Sequence, residues 1–284
     1  MRIHFKASGS LNCTTMVYPN KRVKTSAKIL KNVSIFIELH DLIFIKKIKS
    51  KKHKIIFYGK FSKKINKKNT VTNLFKVLAE KKFLMNKKFY VKIKKNIPQK
   101  SGLGGGSMNA ASILSFLIKK KIIHLQKEYN LNNLTKLIGS DVILGMKPEN
   151  SVLLSKGEIK RFPSSGKFHI LLAKPNFGCS TKYIYSKVKL YNKPKFNPAN
   201  KKMFKSNYLI NLRNDLEKIA FFKYPRLKKI KLFLEKMPNT IFVRMSGSGS
   251  TIVAYYNSKK ACHFAKNKFK IKFKSDWCIT SKTI

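Results

Sequence analysis

The feature that most restricts this chain is a cluster of glycines set between two regular elements. It reads Pro98-Gln99-Lys100-Ser101-Gly102-Leu103-Gly104-Gly105-Gly106-Ser107-Met108-Asn109-Ala110-Ala111. Upstream, Phe89, Val91 and Ile93 alternate with Lys88, Lys92 and Lys94, which predicts a strand over 88–95 with one face on a core. Downstream, Ala110, Ala111, Ile113, Leu114, Leu117 and Ile118 form a broad apolar helical face. That face ends in Lys119, Lys120 and Lys121, where cations suit the negative end of a helix dipole. Glycine allows positive φ and lets backbone N–H groups approach a ligand with no Cβ in the way. The first N–H groups of a helix lack intrahelical partners and favour an anion, so strand, loop and helix together predict a phosphate cradle. A flexible linker would need neither the strand before it nor the helix after it. Ser107 is placed either to cap the helix or to reach a phosphate-bound Mg²⁺. The segment fits neither G-x-x-x-x-G-K-[ST] nor G-x-G-x-x-G, because Ser107 stands where the third glycine of the latter would be.

Around this cluster, strand and helix patterns intermix without an internal repeat. Residues 33–48 and 53–58 are rich in β-branched and aromatic types and predict strands. Val71, Leu74, Phe75 and Leu78 recur at helical spacing. Further strands are expected over 151–155, 168–174, 240–245 and 251–256, and further helices over 211–222, 226–236 and 258–269. The Pro-, Lys- and Asn-rich stretch 191–202 reads as an exposed loop. Gly157, Pro163 and Gly166 punctuate 156–166, which suggests two domains, 1–160 and 161–284. The fold class is α+β in two lobes.

Composition narrows the functional classes. The chain has 284 residues and 43% hydrophobic content, enough to bury a core. No apolar run approaches the roughly 18 residues needed to cross a bilayer, and the first residues lack a secretory signal pattern. Cys13, Cys179, Cys262 and Cys278 lie far apart, so reduced thiols and a cytoplasmic setting are expected. With 63 Lys plus Arg against 11 Asp plus Glu, the net charge of +52 raises the prospect of nucleic-acid binding. The lysines are spread through nearly every segment beside Ile and Asn, however, which reads as compositional drift rather than a dedicated patch. The six histidines show no H-x-x-x-H spacing, and no protein metal site is expected.

The glycine segment closely resembles the phosphate-binding motif of the GHMP small-molecule kinases, and the likeness runs on from about residue 33. Asn69-Thr70-Val71, Gly139-Ser140-Asp141-Val142, Pro175 with Ser180-Thr181-Lys182-Tyr183-Ile184-Tyr185, and Asn214-Asp215-Leu216-Glu217 match further family segments. Arg244-Met245-Ser246-Gly247-Ser248-Gly249-Ser250 matches the C-terminal glycine motif. The resemblance implies a two-lobed fold, with a ribosomal-protein-S5-like N-terminal lobe that binds ATP and an α/β-sandwich C-terminal lobe. It implies ATP and Mg²⁺ as cofactors, with Pro98, Gln99, Lys100, Ser101, Gly102, Leu103, Gly104, Gly105, Gly106, Ser107 and Met108 at the nucleotide and Asp141 facing the acceptor hydroxyl as base. Within the family the chain is most similar to the branch that phosphorylates the 2-hydroxyl of a cytidine-diphospho-methylerythritol for isoprenoid precursor synthesis. A small-molecule substrate, no nucleic acid, no membrane, and a monomer or homodimer are therefore expected. The 246–250 loop is implied to brace the phosphate loop, although an ordinary hairpin turn would use the same residues. Asp215 and Glu217 are expected to be structural. Tyr185 could stack on cytosine or sit in a core, and Arg244 reads as an exposed strand residue.

The first 32 residues depart from the family pattern. A strand lysine that favours the ionised aspartate is expected near the start, where Ala7-Ser8-Gly9-Ser10-Leu11-Asn12 places Ser8, with Lys6 on the same strand face. Ser26-Ala27-Lys28-Ile29-Leu30 resembles the missing motif locally. A Tyr-His pair that helps hold cytidine is also missing. Losing an active-site cation removes electrostatic stabilisation, so slow turnover is expected. A kinase of another small alcohol and a basic nucleic-acid binder are the competing readings.

Overall fold

In the computed structural model, which describes residues 2–19, 28–125, 128–154, 158–163, 167–188 and 199–284, the chain opens with two long strands. These are β1 (Arg2–Pro19) and β2 (Lys28–Ile48), and they pair with each other. Each passes from one compact unit into another. The first unit comprises Met1–Gly9, Leu39–Gln99 and Gly104–Pro148; the second comprises Ser10–Glu38, Lys100–Leu103 and Glu149–Ile284.

In the first unit, β3 (Lys54–Tyr58) is followed by α1 (Thr70–Glu80) and β4 (Lys88–Lys94). Strands β3 and β4 run parallel, with Ile55 opposite Val91, so α1 is the crossover that such a pair requires. β4 also pairs antiparallel with the end of β2, from Leu42 opposite Lys94 to Ile48 opposite Lys88. The predicted alternation is realised: Phe89, Val91 and Ile93 are buried, while Lys94 is exposed. α1 starts at Thr70 because Asn69 forms a capping box. Its Oδ1 accepts from the Val71 and Thr72 amides, and Thr72 Oγ1 accepts from the Asn69 amide at 2.9 Å. The unit is completed by α2 (Gly105–Lys119), α3 (Glu128–Ile138) and α4 (Val142–Gly145). Its core joins Ile43, Ile45, Val91 and Ile93 of the sheet to Leu74, Leu78, Ile113, Leu114 and Leu117 of α1 and α2.

In the second unit, the beginning of β2 pairs antiparallel with β5 (Asn150–Leu153), which pairs with β6 (Ile159–Phe162). The chain continues through β7 (His169–Lys174), α5 (Thr181–Ser186), α6 (Ser206–Leu209), α7 (Glu217–Lys223) and α8 (Pro225–Glu235). It ends with β8 (Phe242–Met245), β9 (Ile252–Tyr256), α9 (Lys259–Lys272) and β10 (Trp277–Lys282). Strands β10, β7, β9 and β8 form an antiparallel sheet in that order. Leu171, Val243, Ile252 and Ala254 pack there against Ala220, Ile230, Ala265 and Phe269 of the helices.

Some expectations fail for local reasons. The helix expected over 211–222 begins only at Glu217, because Asn214 Oδ1 accepts from the Leu216 amide at 3.0 Å and Asn214 bridges to Thr15. Such side-chain-to-backbone bonds compete with helix formation. Of the loop expected over 191–202, residues 191–198 lie outside the described residues. Lys201–Phe204 is a 3₁₀ turn capped by Asn200, and it buries Met203 and Phe204 completely. Parts of the expected domain border, 155–157 and 164–166, also lie outside the described residues, as do residues 26 and 27 of the local lysine motif.

Candidate active site

α2 begins at Gly105, with Gly104 as its N-cap in the left-handed region (φ 65°) and no side chain capping it. Ser107 is therefore not the N-cap; it lies inside the first turn, half-buried. A left-handed cap with no Cβ and no side-chain acceptor leaves the first amides of α2 open to an external anion. The flanking side chains point inward: Pro98, Leu103 and Met108 are buried, so these residues can offer a ligand only their backbone. Gln99 spends its side-chain amide on the carbonyls of Phe61 (2.9 Å) and Lys63 (2.7 Å).

Asp141 sits immediately before α4, and α4 packs on the same first turns of α2. A Cβ on Gly145 would lie 2.7 Å from Ala111 Cβ and 2.8 Å from Met108 Sδ. At the other end of α4, Thr70 ties the segments together: it is 3.4 Å from the positions a Cβ would take on both Gly106 and Gly139. Asn73 fixes the turn by donating its Nδ2 to the carbonyls of Leu137 and Ile138, both at 3.0 Å. Sequence reasoning missed Asn73, because nothing in its residue type signals that its partners lie 64 and 65 positions away. Asp141 stands at the N-cap position, yet its carboxylate accepts no bond from the helix. Among the described residues its one hydrogen bond is from Ser140 Oγ, at 3.3 Å. Burial pushes its carboxyl above the ordinary value, the Ser140 bond opposing only in part. Desolvation disfavours the charged form, which makes this carboxylate a stronger base than an exposed one.

In the second unit, residues 100–103 are threaded onto the 246–250 loop. Ser246 Oγ donates to the Gly102 carbonyl at 2.7 Å, the Thr251 amide to the Ser101 carbonyl at 3.1 Å, and the Ser10 amide to the Leu103 carbonyl at 3.1 Å. A Cβ on Gly102 (φ 75°) would stand 2.2 Å from the Ser246 carbonyl oxygen, so only glycine fits. Lys100 also adopts positive φ (48°), its Cβ lying 2.4 Å from where a Cβ on Gly178 would be.

The 246–250 loop is held in turn. Asn214 Nδ2 donates to the carbonyls of Met245 (2.9 Å) and Gly247 (2.7 Å). Glu217 accepts from the Met245 amide at 2.7 Å while pairing with Lys231. Asn12 receives Ser34 Oγ at 2.8 Å and donates its amide to Ser246 Oγ at 3.2 Å. Arg244 is buried rather than exposed, donating to the carbonyls of Cys13, Leu209 and Ile210. Tyr185 is half-buried against the helical core of this unit. Along β1, Lys6 is exposed, Ala7 is in the core of the first unit and Ser8 is half-buried, whereas Ser10 is buried with its amide on the glycine segment. Among the described residues no group of three or more His, Cys, Asp or Glu side chains is placed to hold a metal ion.

Comparison with known proteins agrees with this geometry. The family described as GHMP kinases N terminal domain matches residues 69–146, which include α1, α2 and Asp141. The 4-diphosphocytidyl-2-C-methyl-D-erythritol kinase of Pelagibacter ubique is 57% identical over 261 residues, covering 92% of each chain. That of Petrotoga mobilis is 33% identical over 267 residues, covering 90% of this chain and 100% of its own. Among solved structures, a 4-(cytidine 5'-diphospho)-2C-methyl-D-erythritol kinase superposes with a TM-score of 0.76 over 99% of both chains at 20% identity. A homoserine kinase from Cytophaga hutchinsonii superposes with 0.70 at 13%, over 100% of this chain and 94% of its own. The fold is that of the GHMP kinases, and the chain belongs to the 4-diphosphocytidyl-2-C-methyl-D-erythritol kinase family.

Proposed function

We propose that the chain transfers the γ-phosphate of ATP to the 2-hydroxyl of 4-diphosphocytidyl-2-C-methyl-D-erythritol. The observation that carries this reading is the pairing, within one unit, of an uncapped helix start with a carboxylate that no helix amide engages. Phosphoryl transfer asks a protein to hold the polyphosphate, to orient the acceptor and to take its proton. The amides of Gly105, Gly106 and Ser107 do the first. Asp141 does the last, and its raised pKa suits it to accept a proton. The bare backbone at 104–106 fits a polyphosphate, since side chains there would cover the amides. Mg²⁺, when bound, neutralises charge on the phosphates; Ser107 is the residue placed to hold it, alongside phosphate oxygens.

The four cysteines are unpaired, which supports a cytoplasmic setting. The lysine that the family resemblance implies is replaced by serine, so turnover is slow, below the roughly 1–100 per second usual for kinases. A coupled ADP-release assay over a panel of alcohols tests the activity. Release dependent on the cytidine-diphospho acceptor is expected. Preference for another alcohol would reassign the substrate, and ATP-independent, salt-sensitive nucleic-acid binding without ADP release would overturn the kinase reading.

A further inference from the structure

Beneath the first turn of α2 lies a buried charged cluster to which nothing above gives a role. Asp41, completely buried near the middle of β2, receives four donors. Its Oδ1 accepts the amides of Asn96 (2.8 Å) and Ile97 (2.9 Å), just past the end of β4. Its Oδ2 accepts Asn109 Nδ2 (2.9 Å), from α2, and the ammonium of Lys95. The side chain of Lys95 is 6% exposed. Its Nζ lies 3.3 Å from the position a Cβ would take on Gly105, the first residue of α2. The ammonium thus sits against the first residue of the turn whose amides are assigned above to phosphate, and among the described residues Asp41 is its one acceptor, with two N–H groups left over. Asn109 Oδ1 is buried there with no partner among the described residues.

Two facts make this arrangement informative. A buried ion pair is a poor way to gain stability, because desolvation offsets the attraction. A cation is also unwelcome at the positive end of a helix dipole. Both costs fall when a polyanion docks on the same turn. We propose that Lys95, held in place by Asp41, is a positioning residue for nucleotide binding: it fixes the first turn of α2 and supplies a buried positive charge behind it. This rests on the phosphate role assigned to α2. Asp41 is the hub, tying β2, the exit of β4 and α2 to one carboxylate. No other acidic or basic side chain bonds to this cluster among the described residues.

The test removes both charges together, since losing one alone would bury the other unpaired. In Lys95→Met/Asp41→Asn, Asn109 can rotate its amide so that its unused Oδ1 accepts from the new side-chain NH₂, which preserves the network. The expected result is a KM for ATP raised at least about tenfold, with kcat within about threefold and the affinity for uncharged adenosine unchanged. An unchanged KM in a folded double variant would overturn the proposal, as would equal losses for ATP and adenosine. If the wild-type chain binds adenosine but not ATP, the phosphate reading itself has failed. Should the double variant not fold, the ¹⁵N signal of the Lys95 ammonium in the wild-type protein is followed during ADP titration. A shift saturating with ADP but not with adenosine supports the role, and no shift refutes it.

Discussion

Two glycine-rich turns of similar composition have opposite fates in this molecule. Residues 246–250 are occupied by the chain itself: Ser246, Ser248 and Ser250 bond to Gly102, Thr181 and Phe177, and the Gly247 amide to Asn12. Residues 104–107 carry the same small side chains, yet no side chain caps the helix they open. Composition alone does not separate the two. What does is whether the backbone donors already have acceptors, because folded chains pair nearly all their buried polar groups and leave open chiefly those a ligand will use.

The largest expected effect breaks the chemistry and spares both turns. Asp141→Asn should lower kcat by about 10²- to 10⁴-fold with the KM for ATP unchanged. It should not lower the melting temperature at neutral pH. Burial raises the folded pKa of Asp141 above its unfolded value, so the folded state holds that proton more tightly. The associated stability is complete below the unfolded pKa and is lost as pH rises through the folded one. Melting curves across the acidic range should show that decline in the wild type and a flatter profile in the variant.

The next effect strikes the occupied turn. Gly102→Ala sets a methyl 2.2 Å from the Ser246 carbonyl oxygen, at positive φ. It should cost about 3 kcal/mol in chemical denaturation, from overpacking and left-handed strain together. Ser246→Ala removes a donor to Gly102 and an acceptor for the Asn12 amide, and should cost about 1–2 kcal/mol.

The smallest effect on stability falls on the open turn and has the opposite sign. Among the described residues a Cβ on Gly106 would meet only Thr70, at an ordinary 3.4 Å. Gly106→Ala should therefore stabilise α2 by about 0.5–1 kcal/mol while crowding the amides, so ATP affinity falls as the melting temperature rises. A variant that gained stability and kept full affinity would remove the distinction between the turns.

How much of this was legible beforehand follows from the range of each interaction. β4 and α2 were readable because period is local: Phe89, Val91 and Ile93 alternate, and apolar residues recur at helical spacing from Ala110 to Ile118, whereas Asn69 was singled out only through its motif. Asp141 was legible only through its motif, since its packing depends on Thr70, Asn73 and Gly145 from distant segments. Arg244 was misjudged because its partners are backbone carbonyls far along the chain, which no residue type announces. Asp41, within the expected strand 33–48, and Lys95, at the end of the expected strand 88–95, look like ordinary strand charges in sequence. Only the fold brings them 54 positions together, under α2.

The central claim is that the open amides at the start of α2 hold polyphosphate. It is tested most directly by titrating ¹⁵N-labelled protein with ADP and following backbone amide signals. The account predicts that Gly105, Gly106 and Ser107 show the largest shifts, saturating together. Saturable shifts centred elsewhere, with these three amides unmoved, would contradict it.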